Sequence, residues 1–113
     1  MKKSLVILWT NPNKGTALNM LLMYAKNSLL RGWWEEVEVC VWGETVVLAT
    51  SDQDIINEVK ECQKVGVKMS ACQACARNYG LYEDLISLGY NVVSYGPILT
   101  DLLQKQEKHL LTI

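Results

Sequence analysis

Along the chain, short apolar runs alternate with longer stretches in which apolar residues return every three or four positions. Leu5-Val-Ile-Leu-Trp9 is a continuous apolar run closed by the turn-forming Asn11-Pro-Asn-Lys-Gly15, the pattern of a buried strand ending in a loop. From Thr16 onward, Ala17, Leu18, Leu21, Leu22, Ala25 and Leu29 recur at helical spacing and predict an amphipathic helix to about Arg31, stopped by Gly32. Val37-Glu-Val-Cys-Val-Trp42 alternates and is rich in β-branched residues, so a second strand is expected, closed by Gly43. The next segment, GETVVLATSDQD, reads two ways: as a hairpin turning into Val46-Val-Leu-Ala49, or as an irregular connection over the sheet.

Ser51 or Asp52 is placed to cap a helix whose inward stripe is Ile55, Ile56, Val59 and Cys62, ending at Gly66. Val67-Lys-Met-Ser70 predicts a third strand, followed by a helix that carries the paired cysteines and runs to about Leu88-Gly89. Asn91-Val-Val-Ser-Tyr95 predicts a fourth strand, and Gly96-Pro97 opens a short helix with Pro at its first position, through about Lys105. His109-Leu-Leu-Thr-Ile113 predicts the last strand.

Strands and helices in strict alternation imply right-handed crossovers. The expected fold is therefore α/β, a three-layer α/β/α arrangement with a five-stranded, mostly parallel sheet. At 113 residues the chain has the length of one domain, 1–113, with no repeats or linkers. Reactive groups in such sheets sit beyond the carboxyl ends of the strands. Three loops fit that position: TNPNKG after strand one, WGE after strand two and SACQAC after strand three.

Composition narrows the partners. Half of the residues are hydrophobic and 20% are charged, which describes a folding chain with a surface poor in charge and room for an oligomer interface. Eleven basic residues against twelve acidic ones, with no basic run, argue against a nucleic-acid partner. The opening MKKSLVILWT resembles a signal peptide, but its apolar run of about six residues falls below the expected length and no small-residue cleavage site follows. No stretch approaches the roughly 18 apolar residues of a membrane span, so a soluble, cytoplasmic protein is expected.

The chemistry concentrates in SACQACARNYG, residues 70–80. Ser70-Ala-Cys-Gln73 has the form of a capping box, which would put Cys72 in the first helical turn, near unpaired backbone N–H groups. Cysteines in such positions can have a pKa lowered from about 8.5 to roughly 3.5–7.5, and the thiolate is the reactive form. Cys72 is thus the expected nucleophile. Cys75, three residues on, shares its helix face and is the expected resolving thiol. A structural zinc needs four ligands, and the sequence offers no second cysteine pair and only one histidine, His109, so no metal within one subunit and no cofactor are called for. A metal shared across a subunit interface remains an alternative. A thioredoxin-like motif would follow the first βαβ strand and face a later cis-Pro, neither of which fits this order.

The succession of VWG, a capped helix, Gly66-Val67, ACQACARNYG, LGYNVVSYG and a terminal LLTI strand resembles the DsrE/DsrF-like family over nearly the whole chain. The resemblance implies a small α/β/α fold of five parallel strands and assembly as homo-trimers or hexamers. In the sulfur-relay members it implies a persulfide-carrying cysteine at the start of the helix after strand three. The spacing to Gly80 maps that position onto Cys72, and Cys75, where relay subunits carry a small residue, is the departure. On this reading the chain is an intracellular sulfur carrier whose partners are donor and acceptor protein thiols. The alternatives are an oligomeric interaction module with structural or interface-metal cysteines, and a small thiol-disulfide oxidoreductase.

Other features read as structural. TNPNKG could cradle a phosphate but lacks a multiple-glycine fingerprint, so a plain strand-to-helix connection is favoured. Trp9, Trp33, Trp34 and Trp42 suit core or subunit contacts, with Trp42 also able to shield the cysteines. Tyr79 and Tyr82 suit packing, and Arg77 a solvated position. Cys40 and Cys62 fall on buried faces as inert thiols.

Overall fold

The computed structural model describes residues 3–113. Strands β1 (Ser4–Trp9), β2 (Glu36–Val41), β3 (Lys68–Cys72), β4 (Asn91–Val93) and β5 (His109–Thr112) form one sheet in the order β4-β3-β2-β1-β5. Every neighbouring pair is parallel, with Ile7 level with Val39 and Leu111, and Val39 level with Met69. Helix α1 covers residues 14–30 as Lys14–Thr16, a π-helical segment Ala17–Leu21, and Leu22–Leu30. The remaining helices are α2 (Thr45–Ser51), α3 (Gln53–Lys64), α4 (Gln73–Asn78), α5 (Tyr82–Ser87) and α6 (Tyr95–Lys105).

The strand order dictates which face each helix covers. The connections from β1 to β2, β2 to β3 and β3 to β4 step to adjacent strands in one direction, so right-handed crossovers send α1 to α5 to one face. The link from β4 to β5 runs back across the whole sheet, and α6 therefore lies on the other. Side chains alternate accordingly. Leu5, Ile7, Trp9, Val37, Val39, Val41, Met69 and Ala71 meet Leu21, Leu22, Val46, Ile55, Val59, Ala76 and Leu85 in the main core. Val6, Leu8 and Cys40 meet Tyr95 of α6 on the second face, flanked by Trp42, Leu99, Leu102 and Leu110. Each buried Leu, Ile or Val of the main core contributes about 1.5–3 kcal/mol, which is why this face organises the fold.

Three expectations change. The ambiguous segment after Gly43 is helical, because Val46 and Ala49, three residues apart, both enter the main core. The helix expected to run from the cysteines to Leu88 is two helices. Gly80, at φ 67°, ends the first, where the Gly80 N–H bonds Arg77 O at 3.1 Å and the Leu81 N–H bonds Ala76 O at 2.8 Å. Helix α6 begins at Tyr95, which puts Pro97 third rather than first; it is still within the turn that needs no amide donor. Elsewhere Asp52 caps α3, its Oδ1 accepting from the Ile55 N–H at 3.1 Å.

Candidate functional site

The cysteine pair sits where β3 gives way to α4, at the carboxyl edge of the sheet. Ser70 does not cap that helix. It lies within β3, fully buried, and strand alternation turns its side chain to the second face, where its Oγ donates to Glu38 Oε2 at 2.7 Å. A tertiary carboxylate acceptor displaces the local capping bond that the sequence offered. Cys72 is instead both the last residue of β3 and the N-cap of α4, at φ −68° and ψ 121°, and its side chain makes no capping hydrogen bond. It is buried, at 5% exposure. Cys72 therefore stands at the N-cap, one position before the first helical turn expected for it.

Cys75 is the third residue of α4 and is only partly buried. The backbone N–H of Gly43, in the loop after β2, donates to its Sγ at 3.2 Å. Gly43 holds φ 74°, in the left-handed region, and this turn aims its amide across to the neighbouring loop. Burial pushes the Cys75 thiol above its ordinary value, the Gly43 N–H pulls in the opposite direction, and the adjoining Cys72 thiol adds to the rise. Neither thiol is bridged. The arrangement is an unbridged pair of neighbouring thiols, with one sulfur recessed and the other half-open beneath a backbone donor.

The two remaining cysteines are fully buried, on the faces where the sequence placed them. Cys40 lies on the second face level with Ser70 in the β2–β3 register, fully buried, and burial drives its thiol well above the ordinary range, with Glu38 adding to the shift. Cys62 donates to Leu22 O at 3.4 Å in the main core, and burial pushes its thiol up to about 12. Tyr95 is also held above the usual phenol range, by burial first and then by the nearby Glu38. Its hydroxyl has no hydrogen-bond partner among the described residues. The Trp42 ring meets Tyr95 edge-on at 6.0 Å, a second-face packing role.

The TNPNKG loop is a strand-to-helix connection. Asn11 Oδ1 accepts from the Asn13 N–H at 2.9 Å and Asn13 Oδ1 from the Thr16 N–H at 2.9 Å, so its polar groups serve its own turn. Lys14 Nζ pairs with Asp52 at 3.0 Å and Asp54 at 2.8 Å. The Trp42 N–H bonds Trp9 O at 3.0 Å, which carries the β1–β2 pairing one residue past β2. Arg77 stacks on Tyr82 at 4.5 Å, Trp34 Nε1 donates to the Tyr24 hydroxyl at 3.1 Å, and Trp33 is 54% exposed. Among the described residues, no group of three or more His, Cys, Asp or Glu side chains is arranged to hold a metal ion. No helix among them is long and apolar enough to cross a membrane.

Against known proteins, the model of the DsrE/DsrF-like family matches residues 2–112. The chain belongs to the DsrE/DsrF-like family. A DsrE/DsrF-like chain of this kind has solved structural neighbours over its full length. A conserved protein of unknown function from Bacteroides thetaiotaomicron, BT1422, is 39% identical with a TM-score of 0.95, covering 98% of this chain and 95% of that one. MTH1491 from Methanobacterium thermoautotrophicum, also of unknown function, is 22% identical with a TM-score of 0.79, covering 99% and 100%. The ychN protein of E. coli shares the fold at 16% identity and a TM-score of 0.71, with both chains covered completely. No curated protein matches the chain.

Two contacts near the cysteine pair were not read from the sequence. The Gly43 amide is a backbone group with no side-chain signature, and its only signal was a glycine loop at the carboxyl edge. The Ser70–Glu38 bond was signalled by a glutamate inside an otherwise apolar, alternating strand.

Proposed function

We propose that this DsrE/DsrF-like protein relays sulfane sulfur on the Cys72/Cys75 pair, taking it from one protein thiol and surrendering it to another. The observation that carries this reading is two adjacent, unbridged thiols at the carboxyl edge of the sheet, with the Gly43 N–H on one sulfur at 3.2 Å. The family membership supports the same chemistry.

The reaction needs no external redox partner. A thiolate of the pair attacks the outer sulfur of a donor persulfide; the new S–S bond forms as the donor S–S bond breaks, and the donor leaves as its thiolate. An acceptor thiolate repeats the exchange on the stored outer sulfur and restores the starting thiolate. When no acceptor is present, the second thiol of the pair can lose its proton and attack the inner sulfur. That step closes a Cys72–Cys75 disulfide and expels hydrosulfide, and exchange with an external dithiol, itself oxidised, reopens the bridge. Incubation of the reduced protein with glutathione persulfide should add about 32 Da to the peptide that carries both cysteines. No addition there, nor on either single Cys→Ser variant, in which no bridge can close and expel the sulfur, would sink the carrier reading.

The proximity of two unbridged thiols also favours a second reading, thiol-disulfide reduction without stored sulfur. Catalysed reduction of insulin disulfides without any mass gain from the persulfide would select it.

A further inference from the structure

We infer that Cys75, rather than Cys72, is the thiol that first receives sulfur, and that the Gly43 amide is its positioning donor. This rests on the carrier reading and assigns the order of the two thiols within it. Three observations converge. Cys72 is 5% exposed, closed in by the end of β3 and the start of α4, whereas Cys75 is partly open on the first turns of α4. Thiol exchange proceeds in line, so the attacked sulfur of a protein-borne persulfide must reach the attacking one, and access limits the rate. The Gly43 N–H points at Cys75 Sγ, and a hydrogen bond to a sulfur that gains negative charge strengthens as the charge develops. Cys72 has no comparable capping bond.

The steps follow from that order. The Cys75 thiolate attacks the outer sulfur of the donor persulfide, the Cys75 S–S bond forms, and the donor departs as thiolate. Cys72, shielded behind it, then acts as the resolving thiol. It loses a proton, attacks Cys75 Sγ, forms the internal disulfide and displaces hydrosulfide. The upward shift of the Cys75 thiol works against attack at neutral pH, and the Gly43 N–H offsets part of it.

Gly43 provides a conformational test of the donor. A Cβ at this position would meet nothing within 4 Å, so space does not restrict substitution, but φ 74° does. Asparagine tolerates the left-handed region and a β-branched residue does not. Gly43→Asn should keep the amide on the sulfur and leave Cys75 chemistry near that of the wild type. Gly43→Val should swing the amide away, slow alkylation of Cys75 by iodoacetamide about five- to tenfold, the size of one lost hydrogen bond, and move its pH profile upward.

The deciding experiment exposes wild-type, Cys72→Ser and Cys75→Ser protein to glutathione persulfide and reads the mass of the cysteine peptide. Sulfur on Cys72→Ser but not on Cys75→Ser supports the inference. Sulfur on Cys75→Ser alone, or equally on both, overturns it and leaves the carrier reading standing. No sulfur on any of the three proteins overturns the carrier reading instead. Limiting iodoacetamide on the unsubstituted protein, with fragment-ion assignment of the label, decides the order independently of any folding defect. Label appearing first on Cys75 supports the inference, and label first on Cys72 overturns it.

Discussion

One face of the sheet meets five helices and buries Leu5, Ile7, Trp9, Val37, Val39, Val41, Met69 and Ala71 in a continuous apolar core; the other meets α6 alone. On that second face, Glu38, Cys40, Ser70 and Cys72 project from the same strands that supply valine and alanine to the first. At the amino ends of the strands it opens into a cleft of about 320 Å³ lined by Glu35, Glu36, Glu38, Lys68 and Lys108, among others. The contrast shows a division of labour within single strands. In β2 and β3 every second residue enters the main core, and the residues between them include the polar Glu38 and Ser70 and the cysteines Cys40 and Cys72.

The largest test of this division lies in the core. Trp9 is fully buried on the first face and its Nε1 donates to Asn11 O at 3.2 Å. Trp9→Ala is expected to cost about 3–5 kcal/mol in urea denaturation, whereas Leu110→Ala on the half-covered face should cost under about 2 kcal/mol. Equal losses would break the comparison. Next in size is Ser70→Ala, which removes the donor from Glu38. A loss of about 2 kcal/mol is expected, the range for a hydrogen bond to a charged group, and a neutral result would mean that water replaces the serine.

A further test, of burial in the main core, is read by pH. The Cys62 thiol is protonated in the fold up to about 12, against an ordinary 9.0. Between those values the unfolded chain releases the proton and the folded chain retains it. The contribution is therefore complete below pH 9 and is lost as pH rises toward 12, at up to about 1.4 kcal/mol per pH unit. Denaturation between pH 9 and 11 should show a shallower decline in Cys62→Ala than in the wild type; parallel declines would contradict the assignment. The smallest effect is expected for Lys14→Met. This substitution removes two exposed ion pairs, so any change in melting temperature should vanish when salt is added.

The period-two and period-3.6 patterns made the alternation of strands and helices legible, and with it the parallel sheet and the carboxyl edge on which Cys72 and Cys75 lie. What escaped were features set by partners distant in sequence. Ser70 reads as a cap beside Gln73, but its partner is Glu38 on the neighbouring strand. Val46-Val47 reads as strand by propensity, yet Val46 and Ala49 fold as helix because the main core accepts that spacing. The π-helical segment at Ala17–Leu21 carries no sequence mark at all. The cysteine site divides the same way. The pair itself was visible, but which thiol is open and which is recessed depended on where β3 stops.

The Gly43–Cys75 contact has a spectroscopic use. The chain contains seven glycines, so labelling glycine alone with ¹⁵N gives a sparse amide spectrum. One of those resonances belongs to the Gly43 N–H, whose acceptor is Cys75 Sγ. Its chemical shift becomes a built-in gauge of whether that sulfur is protonated or bridged and, under the proposed relay, whether it is loaded, readable in solution without touching either cysteine.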